Sequence, residues 1–209
     1  MRKPSPSPFY TNTSGLGAQY RPQGGVTLIE LLITVAVLAI ILALGVPNLR
    51  QMLVRNQSSA IAVEFANDVS RTRTEAISRN SCVAICMSAN TANALTGGTP
   101  TCAASGANWQ AGWIIFANPT CSTTLNNPTT SGNTLLKVRQ PGDTSFTLKA
   151  SSNLKRFTYE SRGLTFGNQS NFTLAYEPET VASPNYRSIC VSSAGRVTIK
   201  QYAGVSACP

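Results

Sequence analysis

The sequence contains no histidine. That removes the usual general base near neutral pH and the commonest metal ligand, and with them a hydrolytic triad. Charge is also scarce: eight Asp and Glu and seventeen Lys and Arg make up 12% of the chain. Ser, Thr, Asn and Gly stand in their place, a composition that suits a strand-rich exported domain. There is no Gly-rich phosphate loop, and no CxxC or Cys/His pair of the kind that holds zinc. These absences lead to the expectation of a chain that is not an enzyme, needs no cofactor and holds no metal. At 209 residues it has room for one ordinary domain with appended segments.

One long apolar run is present. Leu31 to Val46 carries no charge, and with Val26–Glu30 it reaches roughly the 20 residues that a membrane-crossing helix requires. Ahead of it, residues 1–25 are polar, basic and rich in Pro, Gly and Ser. Such a segment is expected to be unstructured and, by the excess of cations on the cytoplasmic side, to stay inside while the C-terminal part is exported. A secretory signal places its small-residue cleavage site after the apolar core. Here Gly24-Gly25 stands immediately before it, so a cut there retains the helix. The leader would carry away Arg2, Lys3 and Arg21, three of the nine surplus positive charges.

The junction Gly25-Val26-Thr27-Leu28-Ile29-Glu30 resembles the class III signal of type IV prepilins, with Val26 in place of the usual Phe or Met. The resemblance implies cleavage between Gly25 and Val26 by a prepilin peptidase and N-methylation of Val26. Glu30 would be the fifth mature residue, where the family pairs it with a neighbouring subunit's amine during filament assembly. A carboxylate in so apolar a helix is functional unless something pairs it. Pro47 matches the helix-kinking proline of the family, and a proline inside a helix removes one backbone bond.

After Pro47, Leu53, Ile61, Phe65, Val69, Thr72 and Ala76 recur at helical spacing, which predicts an amphipathic helix to about Ser78. Glu64 and Asp68, and Arg71, Arg73, Glu75 and Arg79, fall on other faces and read as a solvated, charge-balanced surface. From Cys82 onward, nine short β-prone runs alternate with Gly, Pro, Asn and Ser clusters, which reads as an antiparallel sheet. Gly163–Phe166 belongs to one of these runs, and Ser192-Ser193-Ala194-Gly195 is the expected turn of a last hairpin.

Within this part, SRTRTEAISRN, VAIC, Trp109-x-x-Gly112-Trp113 and the closing CVSSAGRV resemble the FimT/GspH group of minor pilins and pseudopilins. The implied fold is α+β and pilin-like, a long helix with a transmembrane half and an amphipathic half packed on an antiparallel sheet. The domains are then leader 1–25, membrane helix 26–47, amphipathic helix 48–80 and periplasmic head 81–209. The expected place is the inner membrane, single-pass, with assembly into a pilus or pseudopilus alongside other pilins. A pilus subunit and a type II secretion pseudopilin fit the same features.

Six cysteines in an exported head favour three disulfides. Cys190 and Cys208 flank the last hairpin, and Cys86 and Cys102 close the first loop. Cys82 with Cys121 completes one of fifteen possible connectivities. Relatives in the group carry a C-terminal GRxR run linked to DNA binding. Here Gly195-Arg196-Val197-Thr198 lacks the second Arg, and strand alternation places Lys200 on the face of Arg196. That face reads either as an exposed polar strand surface or, through these two residues, as a contact for double-stranded DNA. From Lys137 onward nine cations stand against four carboxylates.

Overall fold

The computed structural model describes residues 24–122, 128, 130–166, 170–177 and 183–201. Leader residues 1–23 and Cys208 lie outside the described residues. The chain divides into two units between Gly45 and Val46.

Helix α1 spans Leu28–Ser78 and has Pro47 inside it. In the first unit every described residue is exposed, and this part of α1 is long and apolar enough to cross a membrane.

In the second unit the later turns of α1 bury Ser58, Ile61, Ala62, Phe65, Ala66, Asp68, Val69, Thr72 and Ala76. This is the expected stripe with two corrections. Leu53 is 60% exposed, because burial along the helix begins only at Ser58. Asp68, expected on a solvated face, is 3% exposed, because β-strand side chains reach over to it.

Two antiparallel four-stranded sheets form, where the sequence suggested one. The first has the order β3-β2-β1-β5, with β1 Val83–Met87, β2 Trp113–Ala117, β3 Thr134–Arg139 and β5 Arg156–Tyr159. The second has the order β4-β6-β7-β8, with β4 Phe146–Ala150, β6 Ser170–Tyr176, β7 Arg187–Val191 and β8 Val197–Gln201. Strand pairing is non-local, so the runs give strands but not sheet membership. Phe65 ties the layers together. Its ring meets Trp113 of the first sheet at 5.2 Å, Phe172 of the second at 4.8 Å and Trp109 at 5.4 Å, all edge-on, a geometry aromatic quadrupoles favour.

The two inner strands of the first sheet, β1 and β2, are buried on both sides. Val83, Ile85 and Met87 face the main core with α1, whereas Ala84 and Cys86 join Ile114, Phe116 and Cys102 in a second cluster on the outer face. Continuous apolar runs such as VAICM follow from that double burial.

Gly163–Phe166 is not a strand. Only an isolated bridge, Tyr159 with Thr165, forms there, because Gly163 takes part in a turn with Glu160 and Leu164 instead of a ladder. Gly163 has φ +76 and Gly195 has φ +74. A Cβ on Gly163 would lie 2.8 Å from Ile77 Cδ1, and one on Gly195 would lie 2.2 Å from Gly163 O. Arg73 Nε donates to that same carbonyl at 2.9 Å. Helix, turn and last hairpin therefore meet at a corner that only glycine fits.

Candidate assembly segment and head surface

Gly24 to Thr27 precede the helix as exposed chain, and a Cβ on Gly24 or Gly25 would touch nothing within 4 Å. The fold itself does not require glycine at either position. Thr27 caps α1: the backbone N–H of Glu30 donates to Thr27 Oγ1 at 3.2 Å, and that of Leu31 to Thr27 O at 3.1 Å. Thr-x-x-Glu is the capping-box spacing. It places the Glu30 carboxylate in the first turn, where the helix dipole favours negative charge, with Val26 just ahead of the helix.

On the second unit, two acids of α1 meet two bases of β3. Lys137 Nζ donates to Asp68 Oδ1 at 2.5 Å, and Arg139 Nη2 to Glu64 Oε2 at 3.1 Å. Trp113 Nε1 holds the other oxygen of Asp68 at 2.8 Å. The Arg139 guanidinium lies 4.3 Å over the Trp113 ring and also donates to Gln110 Oε1. Acids at i,i+4 on a helix and bases at i,i+2 on a strand bring four side chains into register. That double spacing was readable in the sequence, but the pairing of the two elements was not, so this network was missed.

The arginines near the end of α1 do not act as one cluster. Arg71 and Arg79 both pair with Glu75, at 3.9 and 2.8 Å, while Arg73 is spent on Gly163 O. Tyr159, beneath the glycine corner, has its phenol pushed up by burial, opposed by the charge of Arg73. Burial lowers the Arg187 guanidinium, with a further push from Arg55. Among the described residues no cluster of His, Cys, Asp and Glu could hold a metal ion.

Cys82 bonds to Cys121 and Cys86 to Cys102. Cys190 is also disulfide-bonded. Cys86 and Cys102 belong to the outer cluster, so their bond pins a loop over that face of the first sheet, whereas Cys82 stands just before β1 and is tied to the turn that follows β2. In the last hairpin Gly195 N–H donates to Ser192 O at 2.8 Å and closes the turn. Arg196 is exposed just before β8, and Lys200 is exposed on β8 beside Thr198.

The capped apolar helix with an acid in its first turn, joined in sequence to a helix-and-sheet head, defines a type IV pilin-like protein. The sequence profile described as Prokaryotic N-terminal methylation motif matches residues 20–46, and the profile described as Type II transport protein GspH matches residues 62–195. The chain belongs to the GspH family of minor pilins and pseudopilins, which are structural subunits. Two crystal forms of the type IV minor pilin FimU of Pseudomonas aeruginosa are similar in structure. One is 18% identical over 70% of this chain and 90% of FimU, with a TM-score of 0.50. The other is 17% identical over 68% and 91%, with a TM-score of 0.47. The likeness at TM-score 0.50 supports the fold assignment. No curated protein sequence matches the chain.

Proposed function

We propose that this chain is a low-copy subunit of a type IV pilus, made as a precursor and cut between Gly25 and Val26 by a prepilin peptidase. The new Val26 amine is N-methylated. Residues 26–47 then hold the protein in the inner membrane as a single span, with the amphipathic helix 48–80 and the head 81–209 on the periplasmic side. Glu30 pairs with the Val26 amine of an adjoining pilin as the subunit enters the filament. The observation that carries this reading is Glu30 itself, a carboxylate in the capped first turn of an otherwise uncharged apolar stretch. Such a group needs a partner once water is removed.

A pseudopilin of type II secretion is the alternative within the same family. The cysteine-rich head and its Gly-Arg-Val ending, which resemble FimT more than GspH, favour the pilus. Deleting the gene and scoring pilus-dependent motility against protein secretion separates the two: loss of motility with secretion intact supports the pilus, and the converse overturns it.

A second reading, capture of double-stranded DNA by the head, is favoured by the exposure of Arg196 and Lys200. Among the described residues neither has a carboxylate within ion-pair distance.

A further inference from the structure

The disulfide on β1, Cys86–Cys102, and the one just before it, Cys82–Cys121, differ in access. Cys86 and Cys102 are 0% and 7% exposed and sit inside the outer cluster with Ile114 and Phe116. Cys82 is also buried, but its partner Cys121 is partly exposed, and both sulfur-bearing residues line an open cavity of about 230 Å³. Pro119, Phe166 and Glu160 form other parts of its wall, and Glu160 is the one charged residue there. Phe166 is 42% exposed at the rim.

The backbone at this bond is unusual as well. Cys121 has φ +52, a left-handed conformation that costs a non-glycine residue free energy and persists only where surrounding structure enforces it. Its turn is short: Asn118 N–H donates to Cys82 O at 2.8 Å, and Cys121 N–H to Asn118 O at 2.9 Å. The bond is one of the constraints on this conformation, whereas the Cys86–Cys102 bond has no such residue at either end among the positive-φ positions.

We propose that Cys82–Cys121 is a thiol-exchange site, open from this cavity to low-molecular-weight thiols, while Cys86–Cys102 is sealed. Access and the identity of the attacked sulfur set the rates of such reactions. The incoming thiolate attacks Sγ of Cys121, the more exposed of the two residues; a new S–S bond forms as the old one breaks, and Cys82 departs as a thiolate that takes a proton from water. A second thiolate attacks the reagent's sulfur in the mixed disulfide. Cys121 leaves and is protonated, and the reagent's own disulfide is released. Two thiols are oxidised and one protein disulfide is reduced. Glu160 sets a preference for thiols without negative charge.

The test uses the full-length oxidised protein in detergent, exposed for graded times to cysteamine, which is cationic, or to mercaptoethanesulfonate, which is anionic. Free thiols are then alkylated and mapped by peptide mass. The expected result is labelling of Cys82 and Cys121 at least about tenfold faster than of Cys86 and Cys102. With rates normalised to each reagent's thiolate concentration, cysteamine should outpace the sulfonate by about threefold at low ionic strength, and Glu160→Gln should remove that difference. Equal labelling of the two pairs, or Cys86 and Cys102 reacting first, overturns the proposal. Wild-type protein that reacts equally with both reagents overturns the role given to Glu160.

Discussion

Trp113 Nε1 donates to Asp68 Oδ2 at 2.8 Å across the interface between strand β2 and helix α1. The carboxylate is buried, and its second oxygen is taken by Lys137. A buried charge with both oxygens satisfied holds its position; the same charge with a partner missing is strongly destabilising.

Asp68→Ala should therefore leave Lys137 and the indole N–H without their acceptor and lower the stability of the head by about 3–5 kcal/mol. Asp68→Asn, which can still accept from Trp113, should cost less. Chemical denaturation of the full-length protein in detergent, followed by tryptophan fluorescence, reads both. Equal stability of wild type and Asp68→Ala would show that the network contributes nothing.

The glycine corner makes a sharper demand. Gly195→Ala places a methyl on Gly163 O and imposes a left-handed φ on alanine, for a loss of at least about 2 kcal/mol. Gly163→Ala should act similarly through Ile77 and Arg73. Arg73→Lys keeps a cation but loses the planar donor to Gly163 O, and a smaller loss of about 1 kcal/mol is expected. Midpoints of thermal unfolding rank the three, and a neutral Gly195→Ala would contradict the geometry.

Maturation is expected to yield a chain that begins at Val26 and carries an added methyl group, which N-terminal sequencing and mass measurement will detect. Gly25→Phe should leave full-length precursor in the membrane. Because a Cβ at Gly25 touches nothing, that variant should fold its head normally, so failure of processing cannot be blamed on misfolding. Glu30→Ala should insert and be cleaved yet fail to enter sheared filaments. Its presence there at the wild-type level would remove the pairing role from Glu30.

If the head captures DNA, binding should weaken steeply with salt, with a slope of about −0.9 per phosphate neutralised. Arg196→Gln with Lys200→Gln should reduce both affinity and slope while the unfolding midpoint stays unchanged, since both side chains are exposed. Mobility shifts of a labelled duplex at several salt concentrations test this. Unaltered binding by the double variant would move the contact elsewhere or abolish it.

The legible parts of this molecule were those governed by local rules. The end of α1 at Ser78 and eight strands could be read from periodicity and turn residues. So could the turn at Ser192–Gly195, because each depends on residues close in sequence. What depended on distant partners was not legible. Asp68 looked like a surface acid because nothing in its own helix tells that Trp113 and Lys137 lie over it. Gly163–Phe166 looked like a strand because its apolar residues alternate, while the close approach of α1 at Gly163 is a tertiary fact. Leu53 shows the same limit: helical spacing gives the stripe but not the turn at which the head begins to cover it.

The position of β3 at the rim of its sheet has one more consequence. A rim strand offers unpaired backbone groups to any other extended chain, and inward-pointing charges are one of the ways proteins make such a rim unattractive. Lys137 and Arg139 are charges of that kind, anchored to α1 by Glu64 and Asp68. An intruding strand that drew β3 outward would have to break both ion pairs and strand the Asp68 carboxylate in the interior. The two ion pairs thus hold this rim strand against its own helix and oppose its recruitment by another extended chain.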